Sequence, residues 1–96
     1  MQHEVRAWAA ALEALGWRCT PDGRLSTRTW SFSDFAEAFA FLTRVAAEAE
    51  RIGHHPDWRQ AYGTVEISLT THDAGHVTAA DVALAQAIEA VTRAAD

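Results

Sequence analysis

The chain has no lysine: its eight fixed cations are all arginines, set against thirteen aspartates and glutamates for a formal net charge of −5. That is the wrong sign for a protein whose affinity comes from neutralising phosphates, so nucleic acid is not an expected partner. A single cysteine, Cys19, excludes an internal disulfide and supplies neither a zinc knuckle nor a redox pair, which points to a reducing compartment, the cytoplasm. No apolar run approaches the roughly 18 residues that cross a membrane. Met1-Gln2-His3-Glu4 is not the basic start of a leader, so no membrane role is expected. Also missing are a GxSxG elbow, an HExxH helix and a glycine-rich phosphate loop, which leaves serine hydrolysis, zinc proteolysis and nucleotide binding without support. Repeats, linkers and low-complexity tracts are absent too. With 96 residues, 49% of them apolar and 22% charged, the chain reads as one globular domain over residues 1–96. Abundant alanine and the exclusive use of arginine hint at a GC-rich bacterial genome.

What is present is a clear alternation of periodicities. Val5, Trp8, Ala9, Leu12 and Leu15 recur at helical spacing and stop at Gly16. Asp22-Gly23 separates a strand over Trp17 to Thr20 from one over Leu25 to Phe32, a hairpin in which the glycine takes positive φ. Ser33 or Asp34 caps a second helix, with Glu37 as the capping-box partner of Asp34. Its apolar residues, Phe35, Ala38, Phe39, Phe41, Leu42, Val45, Ala46, Ala49 and Ile52, form more than one stripe. A second apolar face on so short a chain implies self-association into a homo-oligomer. Pro56 blocks the helix, and Trp58 to Tyr62 reads as a short strand. In the next strand Val65, Ile67 and Leu69 point to the core, while Glu66, Ser68 and Thr70 point away. Thr78-Ala79-Ala80-Asp81 opens a last helix carrying Val82, Leu84, Ala85, Ile88 and Val91. The expected fold is α+β, in the order α-β-β-α-β-β-α, with three helices on one face of a four-stranded antiparallel sheet.

Four of the five histidines fall between residues 54 and 76, in the two irregular segments that flank the last hairpin. Closing that hairpin brings His54 and His55 to the same rim as His72. An imidazole accepts or donates a proton near neutrality, so the group is equipment for proton transfer. Plainer roles compete with this. Adjacent histidines at a helix end can bond its last carbonyls, Asp81 can be a helix cap, and Glu50 can be a solvated helix residue. His54, His55, His72, Asp73 and His76 include enough ligands for zinc, but adjacent histidines project in different directions, so no metal is expected.

The run Glu50, His54-His55-Pro56, Tyr62, His72, Asp81, with its spacing, resembles the signature of the pterin-4a-carbinolamine dehydratases. The likeness extends through Gly16-Trp17, through Phe39 to Ala46, and through Thr71 to Gly75. It implies dehydration of a 4a-hydroxytetrahydropterin, the product of aromatic amino acid hydroxylation, to the quinonoid dihydropterin, without metal or organic cofactor. By the same resemblance His54, His55 and His72 are catalytic. Gly53, His54, His55, Thr70, Thr71, His72 and Asp73 contact the pterin substrate, and Glu50 and Asp81 orient an imidazole or meet the pterin's guanidine-like edge. The family also implies dimers that join sheets and tetramers that pack the long helices. Its non-enzymatic branch, of dimerisation cofactors and assembly factors, is the alternative function. Two positions depart from the pattern: Gly53 stands where relatives often have Asp or Asn, and His76 adds a bulky titratable group near the expected rim.

Overall fold

A computed structural model describes residues 2–95, so Met1 and Asp96, the ends of the expected domain, lie outside it. Its elements are α1 (His3–Ala14), β1 (Arg18–Cys19), β2 (Ser26–Ser31), α2 (Phe35–Ile52), β3 (Asp57–Ala61), β4 (Thr64–Leu69) and α3 (Ala79–Ala95). The strands lie in the order β1-β2-β4-β3, and every neighbouring pair is antiparallel.

Alternation along β4 decides which face is covered. Val65, Ile67 and Leu69 are fully buried, opposite Trp30, Arg28 and Ser26 of β2. Glu66 is exposed and Ser68 half-buried on the other face, across from Thr29 and Thr27. The three helices cover the apolar face with Val5 and Leu12 of α1, Phe41, Leu42 and Val45 of α2, and Leu84 and Ile88 of α3. Each such side chain contributes about 1.5–3 kcal/mol when taken fully from water. Arg28 sits on this covered face and is held there: its Nη1 donates to the Leu15 carbonyl at 2.9 Å and pairs with Glu89 of α3, and its guanidinium lies 5.1 Å from the Trp30 ring centre. A half-buried charge needs such partners.

The helix ends follow the expected chemistry with one change. Asp34 accepts the Glu37 N–H at 2.8 Å, but the Glu37 carboxylate takes the Ser33 hydroxyl instead of the cap's own N–H. At α3 the reciprocal box closes: Thr78 accepts from the Ala80 N–H, and Asp81 accepts the Thr78 N–H at 2.8 Å.

Three strand boundaries differ from expectation. β1 is only Arg18–Cys19, because Trp17 turns into the core edge-to-face with Trp30 and the Thr20 hydroxyl accepts the Arg24 and Leu25 N–H groups to form the turn. β2 is correspondingly shorter at both ends. β3 starts at Asp57 and ends at Ala61, since Tyr62 adopts φ +52° in the turn. The second apolar face of α2 is open: Phe35 and Phe39 are 56% and 57% exposed, with their rings stacked.

Candidate active site

The end of α2 delivers the first two histidines. Gly53 takes φ +76°, and its N–H and that of His54 both donate to the Ala49 carbonyl, ending the helix sharply before Pro56. This left-handed position suits glycine and, among other residues, Asn or Asp best. β4 delivers the third histidine. Past Leu69 the chain forms a tight loop in which the Thr71 carbonyl accepts the Ala74 and Gly75 N–H groups, leaving His72 exposed on the outside.

The two segments meet at an open cleft of about 290 Å³ lined by Gly53, His54, His55, Thr70, Thr71, His72 and Asp73. All seven residues expected at the substrate therefore surround one space. A larger depression of about 410 Å³ lies along β1 and β2, among Gly16, Arg18, Thr27, Arg28, Thr29 and Glu66. It has no imidazole, the one side chain that both accepts and donates a proton near neutrality at its ordinary pKa.

Each of the three histidines stands beside a carboxylate. His54 Nε2 is 2.6 Å from Asp81 Oδ1, His55 Nε2 is 2.8 Å from Glu50 Oε1, and His72 Nε2 is 3.8 Å from Asp57 Oδ2. Their settings differ. Asp81 is fully buried and its second oxygen is occupied by the Thr71 hydroxyl and the Thr78 N–H, whereas Glu50 and Asp57 are exposed. Asp81 is thus both the expected helix cap and an imidazole partner, and Glu50, solvated as expected, also holds His55. Neither histidine of the pair bonds the last helix carbonyls through its Nε2. Among the described residues no group of three His, Cys, Asp or Glu side chains converges to hold a metal ion.

The pattern of the family described as Pterin 4 alpha carbinolamine dehydratase matches residues 2–91. The chain belongs to this family. A relative from Afipia carboxidovorans, assigned by name to the pterin-4-alpha-carbinolamine dehydratases, is 56% identical over 78 residues, 81% of this chain and 78% of the relative. Another so named, from Bradyrhizobium, is 52% identical over 94% of this chain and 91% of its own length. Among solved structures, a transcriptional coactivator/pterin dehydratase from Brucella melitensis superposes with a TM-score of 0.82 at 35% identity, covering 95% of this chain and 96% of that one. A pterin dehydratase-like protein identified as a RuBisCO assembly factor in the alpha-carboxysome gives 0.66 at 26% identity, over 78% of this chain and 87% of that one. Family and fold agree with the dehydratase reading of the sequence.

Three details of this dehydratase-family site were not anticipated. Asp57 joins it because β3 pairs with β4 at Asp57–Ser68, which carries the acid to the strand end that leads into His72. The signal was an acid directly after His-His-Pro at the hairpin's open end. His76, expected near the rim, turns away: its ring stacks on Trp8 of α1 with centres 6.4 Å apart, and its Nδ1–H donates to the Val77 carbonyl at 2.8 Å. The Thr70 and Thr71 hydroxyls, in the expected substrate-contacting stretch, donate instead to the Arg24 carbonyl at 2.6 Å and to Asp81 at 2.7 Å.

Proposed function

We propose that the protein dehydrates a 4a-hydroxytetrahydropterin to the quinonoid dihydropterin, with histidines as the acids and bases, so recycling the cofactor of aromatic amino acid hydroxylases. The observation that carries this is the gathering of His54, His55 and His72, each beside a carboxylate, around one cleft in a chain of this family. In the reaction the C4a hydroxyl leaves as water after taking a proton. The adjacent ring N–H gives up its proton, and the nitrogen's electron pair closes the C=N bond. A donor and an acceptor must therefore flank a flat heterocycle.

Hydrogen counting divides the roles. As a carboxylate Asp81 only accepts, so His54 Nε2 carries the hydrogen between them; in the neutral ring Nδ1 then keeps the lone pair, and in that form His54 is the base. His55 and His72, exposed beside Glu50 and Asp57, are the proton donors to the departing hydroxyl. Gly53 and Asp73 complete the pterin contacts, with Asp73, exposed at the rim, suited to the guanidine-like edge. Neither metal nor organic cofactor takes part.

The working protein is a cytoplasmic homo-oligomer of this single domain. Exposed Phe35, Phe39, Trp58 and Tyr62, together with the open edge of β3, support assembly, and the free thiol of Cys19 supports a reducing compartment. Light scattering that returned the mass of one chain at micromolar concentration would refute the assembly.

The function is tested by following a chemically generated 4a-hydroxytetrahydropterin in a stopped-flow cell with and without the protein. The protein accelerates its loss, and a folded His55→Ala, His72→Ala double variant loses on the order of 10²-fold or more of the rate. A double variant within a few-fold of the native rate would point instead to a non-catalytic assembly role.

A further inference from the structure

We propose that Thr71 is a positioning residue: its hydroxyl, held between Thr78 and Asp81, keeps the buried carboxylate aimed at His54 and so fixes which imidazole nitrogen stays basic. The kinetic part of this inference rests on the dehydratase reading above; the tautomer part does not.

The argument is a count of hydrogens. The Thr71 hydroxyl lies 2.7 Å from Asp81 Oδ2 and 2.7 Å from the Thr78 hydroxyl. It has one hydrogen, and a carboxylate can only accept, so that hydrogen goes to Asp81. The contact between the two hydroxyls must then carry the hydrogen of Thr78. Thr78 in turn accepts the Ala80 N–H at 3.2 Å and donates its own N–H to Oδ2 at 2.8 Å. A one-way chain of donors thus runs from the first turn of α3 into Oδ2, and Oδ1 is left for His54 Nε2 at 2.6 Å. Asp81 is fully buried, so no water competes for these positions.

Thr71 lines the cleft, yet its only hydrogen points away from it. Its main chain is held independently of the hydroxyl, with the N–H on the His76 carbonyl and the C=O on the Ala74 and Gly75 N–H groups. Removing the hydroxyl therefore spares the loop's main-chain bonds and the Ala80 N–H and Thr78 N–H bonds of the helix cap, takes away one of the two donors on Oδ2, and leaves the Thr78 hydroxyl without its acceptor. The carboxylate gains freedom to rotate, and the His54 Nδ1–H tautomer, useless as a base, becomes populated.

The test compares Thr71→Val, which keeps the branched shape, with Thr71→Ser, which restores the hydroxyl. The expected result is a kcat lower by about tenfold in the Val variant, the lower end of what losing a residue that orients a working histidine costs. KM stays within about twofold, and the Ser variant returns kcat to near native. Side-chain ¹⁵N spectra of His54, recorded in the free protein well above the ordinary imidazole pKa, show the Nε2–H form alone in the native and Ser proteins and a mixture in the Val variant. A Val variant with native kcat and a pure Nε2–H spectrum overturns the proposal. So does one whose loss is entirely in KM, which would make Thr71 a substrate contact. Absence of dehydratase activity in the native protein refutes the function, while the spectra, which need no substrate, still decide the positioning role.

Discussion

Replacing Asp81 with Asn tests the site more sharply than deleting a histidine, because size and burial are kept while one acceptor becomes a donor. The asparagine has two ways to sit. With its carbonyl oxygen in the Oδ2 position it still accepts the Thr71 hydroxyl and the Thr78 N–H, and its NH₂ then points at His54 Nε2. In the flipped orientation the NH₂ faces the Thr78 N–H, leaving a buried donor without an acceptor at a cost of about 1–3 kcal/mol. That difference favours the first orientation by roughly five- to 150-fold. His54 Nε2 must then accept, the ring hydrogen moves to Nδ1, and the lone pair that removes the substrate proton is gone. Positioned proton transfer is worth about 10²–10⁴ in rate, so kcat should fall on the order of 10²-fold or more. Stability should fall much less. Three hydrogen bonds weaken from charge-assisted to neutral, but an amide is easier to bury than a carboxylate, for a net loss of roughly 1–2 kcal/mol. Stopped-flow dehydration and thermal unfolding measured on one preparation separate the two effects. A folded Asp81→Asn protein with kcat within threefold of native would refute the assignment of His54 as an oriented base.

Three further outcomes follow from the packing. His76→Ala should cost about 1 kcal/mol through its lost stacking on Trp8 and leave KM unchanged; a changed KM with native stability would return His76 to the substrate. Gly63→Ala should lower the urea midpoint by the equivalent of about 1–3 kcal/mol, since a Cβ there would lie 2.5 Å from the Phe32 carbonyl oxygen; an unchanged midpoint would mean the turn relaxes freely. Burial pushes the Cys19 thiol above its ordinary range, outweighing the opposing hydrogen bond to Ser26. The unfolded chain therefore loses this proton first, and stability should decline as pH rises past the ordinary thiol range, less steeply in Cys19→Ala. Identical slopes for the two proteins would contradict that shift.

Much of this protein is legible from residue order because its elements are written in local signals. The alternation of Val65, Ile67 and Leu69 sets the covered face of the sheet, and Asp34, Gly53 and the Thr78–Asp81 box mark helix ends through contacts a few residues long. The grouping of His54 and His55 with His72 was readable for a related reason: one short hairpin, β3 and β4, separates them. Other features needed the third dimension. The insertion of β4 beside β2 is a long-range pairing with no local signature, and Arg28 reads as a polar strand residue until Glu89 and the Leu15 carbonyl arrive from two helices to satisfy it. The union of Asp81 with His54 joins residues 27 apart and exists only because α3 starts where α2 ends. The inward turn of the Thr71 hydroxyl and the turn of His76 toward Trp8 were likewise decided by packing. Residue types and short-range periodicity therefore determined which groups could do acid and base chemistry. The burial of one carboxylate, which depends on every element around it, decided which nitrogen of His54 is held.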